Sequence, residues 1–330
     1  MKKAPTKLHG PWISAPDNWR AAGHRIFSRN HYNQQVFGGR VWRIRIDGGF
    51  SCPNRDGTLG TAGCAFCDPA SLGPSLRVGI QPIALQVDQA VQGMGRWRGG
   101  KRFFAYFQPG TNTYAPVEQL RMSYEQAIAH PNVVGLIVGT RPDCVPDEVL
   151  DLLAELAERK WTLIEYGLQS IHVRSLKWIG RGHGYGAFLD AVARSRQRGL
   201  QVGAHVILGL PGETAAEMLA TADELARLRI DAVKLHNLHA VRGTRLAELV
   251  AAGEVALPTF AEYVGYAVDV LQRLPARCVV DRLSGDAPRE CLVGPDWCLH
   301  RATVRTAILA ELERRDSWQG KHAAGLTPPP

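Results

Sequence analysis

The sequence predicts an α/β fold in which a parallel sheet is covered by helices, and three observations carry that reading. From residue 41 onward, short apolar runs alternate with amphipathic helical stretches through six successive units. Runs such as VVGLIVG (133–139) and LQVGAHVILGL (200–210) are nearly continuous in apolar character, as strands buried on both faces are. The intervals between them hold helix-length segments, and each strand–helix–strand crossover is expected to be right-handed. The pattern is compatible with an open doubly wound sheet and with a barrel.

Taken in order, VWRIRI (41–46) alternates apolar and basic residues and reads as the first strand. A helix is expected over 83–94, a second strand over 102–108 and a helix over 117–129. The third strand is 133–139, followed by a strongly amphipathic helix, DEVLDLLAELAER (147–159). WTLIEYGLQ (161–169) is the fourth strand, and the helix over 186–199 ends in glycine. The fifth strand is 200–210, the next helix 215–229 and the sixth strand 232–238. Residues 245–315 add helices at 246–252, 259–274 and 301–315 and a strand at 277–284. This part is expected to pack against the open edge of the sheet as a C-terminal α+β extension. Residues 1–35 read as a basic arm with a short helix near 17–29, where Arg20, His24, Arg25, Arg29 and His31 make a basic edge. Residues 316–330, ending in three prolines, are expected to be a disordered tail.

With 330 residues and a 45% apolar fraction, the chain has the composition of a globular protein of one large domain or two smaller ones. No apolar stretch approaches the ~20 residues that a membrane helix needs. The N-terminus has charge but no apolar core of a signal peptide, so no membrane association is expected. Seven cysteines are an odd number, and three are clustered, which argues against a disulfide framework and for a reducing, cytoplasmic compartment. A formal charge of +8 favours an anionic partner, RNA being the obvious one.

The chemistry-bearing stretch is 47–71, DGGFSCPNRDGTLGTAGCAFCDPAS. Cys52, Cys64 and Cys67 follow a C-x11-C-x2-C pattern in a glycine-rich loop just after the first strand. Thiolates bind soft metals, chiefly iron–sulfur clusters, zinc or copper(I). A closed structural zinc site wants four ligands; three leave a metal coordination position open. The alternatives are free cysteines, or a zinc knuckle completed by Asp68 or a distant histidine. A second stretch, LGLPGET (208–214), lies between a strand and a helix, where ligands gather in parallel α/β folds. Gly209 and Gly212 permit close backbone approach there, and Glu213 and Thr214 could cap the next helix.

The cysteine stretch resembles the radical S-adenosylmethionine (SAM) superfamily, and within it the uncharacterised bacterial group related to the elongator catalytic subunit. The likeness continues at YFQPGTNTYAP (106–116), GTRPDCVPDEVLDLL (139–153), EYGLQS (165–170), RGH (181–183), LGLPGET and KLHNLHAVRGT (234–244), and covers roughly residues 36–300. The resemblance implies a partial (β/α)6 barrel over 36–244 with its cofactor at the top, after the first strand. It implies that Cys52, Cys64 and Cys67 hold a [4Fe–4S] cluster, with the amino acid end of SAM on the fourth iron. A one-electron donor such as flavodoxin or ferredoxin then triggers SAM cleavage, and the 5′-deoxyadenosyl radical abstracts a substrate hydrogen.

Further SAM contacts are implied residue by residue. They are Phe66 beside the last thiol, Gln169 and Ser170 at the end of strand four, and Arg181 for the SAM carboxylate, which a guanidinium matches bidentately. Gly209, Pro211, Gly212 and Glu213 resemble the adenine-binding segment. His205 stands where relatives carry a ribose-contacting polar residue; read without the family it is a core histidine. Tyr106, Gln108, Asn112, Tyr114, Arg141, Asp143, Lys234, His236 and His239 lie at strand ends facing the same mouth and are substrate-pocket candidates. Elongator-type enzymes carry Glu before the TRPD stretch, whereas Gly139 stands here, so that Glu's role is not carried over. No acetyl-transferase domain is expected either. Cys144, Cys278, Cys291 and Cys298 read as small buried hydrophobes, with an auxiliary metal at Cys291 and Cys298 as the alternative.

The substrate expected from charge and kinship is tRNA, at a wobble uridine, with Arg194, Arg196 and Arg198 as phosphate contacts or a solvated helix face. The rival readings are a radical SAM enzyme acting on a small metabolite or peptide, and a zinc-stabilised RNA-binding module without redox activity.

Overall fold

The structure is a computed structural model that describes residues 18–68 and 79–323. The start of the expected basic arm, the end of the cysteine loop at 69–71 and the end of the expected tail lie outside the described residues. Two short N-terminal helices, α1 (Asn18–Ala21) and α2 (Arg29–Phe37), precede β1 (Trp42–Ile46). The repeating part then runs α3 (Ile83–Arg98), β2 (Phe103–Phe107), α4 (Val117–Ala129), β3 (Val133–Thr140), α5 (Asp147–Arg159) and β4 (Trp161–Gln169). It continues with α6 (Val173–Trp178), α7 (Tyr185–Gln197), β5 (Gln201–Leu208), α8 (Ala215–Arg227) and β6 (Ala232–Asn237). The C-terminal part holds β7 (Ala240–Val241), α9 (Arg245–Ala251), α10 (Phe260–Arg273), β8 (Val279–Arg282), β9 (Leu292–Gly294) and α11 (Arg301–Arg314).

Seven strands form one parallel sheet in the order β1-β2-β3-β4-β5-β6-β8. The strand expected to pack against the sheet's edge is therefore the sheet's last strand: β8 pairs with β6, Ala232 opposite Val279. The sheet is curled into a half-barrel, and Arg43 of β1 meets Asp281 of β8 across the seam. Alternate side chains of each strand point to opposite faces. One set, including Ile44, Phe107, Val138, Tyr166 and Val206, forms the main core with the amphipathic helices. The other set faces the lumen. Near the strand starts it is apolar, and Phe104, Trp161 and Leu163 pack there against Trp19, Phe27 and Tyr32 of the N-terminal segment. Trp161 Nε1 donates to Tyr32 Oη at 2.8 Å.

The N-terminal segment is thus a plug for the closed end of the barrel, not a basic edge. The helix expected near 17–29 is broken, because Ser28 is extended and caps α2, its side chain accepting from His31 N. Arg29 is buried against Asp281, Arg25 Nη1 donates to Ser317 O at 3.0 Å, and the Arg20 guanidinium lies 4.1 Å from the Trp318 ring centre.

The expected disordered tail also needs correction. Residues 316–323 are placed, and Ser317 and Gln319 are fully buried. Gln319 accepts from Phe27 N at 2.8 Å and donates to Pro275 O and Cys278 O at 2.8 and 2.7 Å. These bonds satisfy backbone groups where α10, β8 and the N-terminal plug converge. Among the described residues no helix is long and apolar enough to cross a membrane.

Candidate active site at the mouth of the barrel

The cysteine loop leaves the C-terminal end of β1 and is held by its own backbone. Arg55 N and Asp56 N donate to Cys52 O at 2.7 and 3.1 Å, and Cys67 N donates to Cys64 O at 2.9 Å. Ala65 N donates to Ile179 O at 2.9 Å, which ties the loop to the turn after α6. Gly63 has φ +76°, and a Cβ there would stand 2.7 Å from the Arg55 guanidinium, which bonds Cys67 O. Glycine is required at that point for both conformation and space.

A cavity of about 770 Å³ opens at this end of the barrel. Its wall includes Cys52, Cys64, Cys67 and Phe66 from the loop, Gln169 from β4, Arg181 after α6, and His205 from β5. Cys64 Sγ accepts from Asn54 Nδ2 at 3.4 Å and from Arg181 Nη1 at 3.7 Å, N–H contacts of the kind that tune cluster sulfurs. Burial, then the neighbouring Cys64, pushes the Cys67 thiol up to about 11, so its thiolate calls for a positive charge beside it of the kind a bound metal would supply. Among the described residues no three His, Cys, Asp or Glu side chains converge on a single metal ion.

Gln169 ends β4 with φ +71° beside a register shift in the β4–β5 pairing, a conformation costing roughly 1–3 kcal/mol at a non-glycine residue. Arg181 Nη2 donates to Gly167 O at 2.9 Å, while its Nε is buried with no partner. An orphaned guanidinium donor beside Cys64 fits a ligand carboxylate. His205 lies against Glu165, Nε2 to Oε2 3.0 Å, and burial, then Lys234, lowers its pKa and holds the ring neutral.

The 208–214 turn is not part of the cavity wall, and neither is Ser170. Ser170 donates to Glu213, Gly212 O accepts from Arg174 Nη2 at 2.5 Å, and Gly209 packs against Pro258. Pro211 is likewise outside the cavity wall. The cap of α8 is Thr214 with Glu217, so Glu213 is free for its bond to Ser170. Of the pocket candidates, Tyr106, Gln108, Arg141, Lys234, His236 and His239 line the cavity. Asn112 is buried away from it, donating to Gly139 O at 2.8 Å, and Tyr114 Oη pairs with Thr58 Oγ1 at 3.0 Å. Asp143 holds Arg141 through two bonds of 3.0 and 2.8 Å, and Arg141 in turn donates to Arg181 O at 2.9 Å.

Arg194, Arg196 and Arg198 do not stand free but are engaged in ion pairs. Arg194 pairs with Asp190 and Asp147 at 2.8 and 3.2 Å, Arg196 with Asp231 at 3.1 Å, and Arg198 with Asp151 at 2.5 Å. These bridges join α7 to α5 and to the turn before β6. Cys144, Cys278 and Cys298 are buried, Cys291 is half-buried, and all are free thiols.

Sequence reading missed the ionic layer that fills the lumen between the apolar plug and the mouth. Lys234 Nζ donates to Tyr106 Oη at 2.7 Å and to Glu165, and stands 3.7 Å from Asp281. Asp281 also takes Arg29 at 2.5 Å and Arg43. Burial pushes both carboxyl groups up, but their partners prevail: the Lys234 cation and the hydrogen bond from His205 bring Glu165 down to about 2, and Arg43, Arg29 and Lys234 hold Asp281 well below the carboxylate range. Burial brings Lys234 down to about 8. The signal was present, since Glu165 and Asp281 are lone acids inside apolar strands, and a buried charge needs partners. Arg45, Arg55, Arg282, Asp286 and Arg301 were also missed and line the cavity.

Comparison with known proteins agrees with this geometry. Residues 54–225 match the family model of the radical SAM superfamily, and residues 230–314 match that of the radical SAM C-terminal domain. The chain is 40% identical over 294 residues to protein YhcC of Escherichia coli, covering 89% of this chain and 93% of that one. It is 26% identical over 171 residues, half of this chain and 30% of the relative, to a tRNA uridine(34) acetyltransferase of Methanocaldococcus jannaschii. The solved structure of the archaeal Methanocaldococcus infernus Elp3 superposes with a TM-score of 0.65 at 18% identity, over 84% of this chain and 64% of that one, and shares its fold. With the cysteine loop, the curled parallel sheet and both family matches in agreement, the chain belongs to the radical SAM superfamily and is a radical SAM enzyme.

Proposed function

We propose that this enzyme holds a [4Fe–4S] cluster on Cys52, Cys64 and Cys67, cleaves SAM reductively, and takes hydrogen from a wobble uridine of tRNA. The observation that carries the substrate reading is the charge of the cavity: eight arginine and lysine side chains line it against three aspartates. Such a wall suits a polyanion whose target base is splayed out of its loop into the mouth. The similarity to a protein named for tRNA uridine(34) supports the same substrate class.

Bound together, cluster and SAM supply one-electron cleavage of a sulfonium and a carbon radical that removes a hydrogen atom. The chain's own residues bind and orient. Arg181, with its orphaned Nε, holds the SAM carboxylate, and Gln169 takes the amino acid end. Asn54 and Arg181 donate to the Cys64 sulfur, and the neutral His205 borders the ribose side. The apolar plug beneath keeps water from entering the lumen from below. A flavodoxin or ferredoxin in a reducing cytoplasm fits as electron donor.

The test is anaerobic reconstitution with iron and sulfide, followed by SAM and dithionite, with 5′-deoxyadenosine measured with and without bulk tRNA. The expected result is a brown protein whose deoxyadenosine formation rises with tRNA and weakens steeply with salt. It should vanish when all three cysteines are replaced by alanine. Formation that tRNA leaves unchanged but a small-metabolite extract stimulates would move the substrate to a small molecule. A colourless protein carrying one zinc would sink the cluster assignment.

A further inference from the structure

The cavity has two unlike sides. Gln169 and His205, on the central strands β4 and β5, face the cysteine loop's cofactor region. Opposite them lies the seam, where the edge strands β1 and β8 come together and the start of α11 joins them. Arg43 and Arg45 come from β1, Arg282 from β8, and Arg301 from α11, and all four line the cavity.

The charges at this seam do not balance. Arg29, Arg43 and Lys234 share the carboxylates of Asp281 and Glu165. Arg282 and Arg301 share the single carboxylate of Asp286, at 2.5 and 3.2 Å. Arg45 has no partner among the described residues. Six cations therefore face three carboxylates on this side of the cavity, an excess of positive charge that reaches its open rim, where Arg45 and Arg301 are exposed and an anion can enter. SAM does not redress the balance, because its sulfonium makes it a cation overall. His236 is adjacent in the wall, with its Nε2 buried and without a partner.

We infer that the seam is an oxyanion subsite for the substrate, in which Arg282 and Arg301, with Arg45 and His236 beside them, receive a phosphate or carboxylate group. A guanidinium fork matches either group with two parallel N–H···O bonds. Asp286 acts as the built-in competitor: it occupies both arginines when the substrate is absent and sets how tightly the anion is held. The inference rests on reading this cavity as the substrate pocket. It adds the chemical group by which a substrate is held there.

The test uses the reconstituted holoenzyme with SAM and no reductant, and three calorimetric probes: uridine, uridine 5′-monophosphate and 5-carboxyuridine. At least one anionic probe is expected to bind ten-fold or more tighter than uridine. Preference for the monophosphate would identify a phosphate as the group received, and preference for the base carboxylate would identify a carboxylate. Arg282→Gln with Arg301→Gln should remove the preference while SAM binding is retained. Asp286→Asn should increase anion affinity several-fold, a gain that a merely structural role for Asp286 does not produce. Equal or absent binding of all three probes, or a preference that survives in the double arginine variant, overturns the subsite. The RNA reading fails separately: if tRNA does not stimulate deoxyadenosine formation while the anion preference and its loss are as stated, the subsite stands and the RNA substrate does not.

Discussion

Arg43 on the first strand and Asp281 on the last form an ion pair across the seam of the curled sheet, joining two edges that share no backbone ladder. Asp281 is fully buried and also receives Arg29 and Lys234. Asp281→Asn leaves three cations in the lumen with Glu165 as their nearest carboxylate. Removing one partner of a buried ionic set costs about 3–5 kcal/mol. The urea midpoint of Asp281→Asn is expected to fall accordingly, and a variant within error of the parent would show that the layer is solvated.

The same layer predicts how stability depends on pH. The folded-state pKa values of Glu165 and Asp281 lie below their unfolded values, so their contribution is complete above about pH 5 and is lost as pH falls through about 4 toward 2. Asp231 acts in the opposite sense, because burial raises its carboxyl to about 6. Ionising it costs stability above that pH, and the cost, about 2–3 kcal/mol, is relieved as pH falls from about 7 to 4. Histidines whose pKa values burial lowers, such as His183, His205 and His236, cost stability over the same window, so the Asp231 contribution is read as a difference from the parent. Asp231→Asn keeps an acceptor for Val202 N, and its advantage in urea midpoint over the parent should be largest near neutral pH and shrink as pH falls to about 4.

Gln319 gives a third expectation. Its side chain serves Phe27 N, Pro275 O and Cys278 O, all buried. Gln319→Ala leaves these groups without partners, each worth about 1–3 kcal/mol when orphaned. With partial rearrangement, a loss of about 2–4 kcal/mol in urea unfolding is expected. Truncation before residue 316 should be at least as damaging, whereas a truly disordered tail would be removable without effect.

These residues show what a sequence does and does not display. The six strand–helix units were legible because periodicity is local, and the candidate cysteine site was legible because its three thiols lie within sixteen residues of one another. Gln319 was not, because nothing in WQGKH marks a side chain that closes three backbone groups from distant elements. The seventh strand was seen as a strand but not as part of the sheet: its pairing with β6 is a long-range choice that CVVDR does not encode by itself. The arginines of α7 read as free cations because their acidic partners lie on α5 and before β6. Lone acids in apolar strands are the one long-range feature that could have been read, since Glu165 and Asp281 demand buried cations somewhere.

The final prediction isolates Arg181 from the cysteines. Arg181 runs alongside β4, bonding Gly167 O and reaching toward Cys64. A Cβ on Gly167 would stand 2.4 Å from Arg181 Nη2 and 2.9 Å from Gln169 Nε2, so both side chains must move. Gly167 does not have positive φ, and alanine fits its strand backbone. Gly167→Ala should therefore fold with a urea midpoint close to the parent's and keep its iron after reconstitution, because the three thiols and the loop's backbone bonds are untouched. SAM affinity is expected to fall ten-fold or more, since the guanidinium and the amide proposed above to hold the SAM amino acid end are displaced together. Equal iron content with undiminished SAM binding would show that neither Arg181 nor Gln169 anchors SAM. Loss of iron as well would place Arg181 among the residues that hold the cysteine loop.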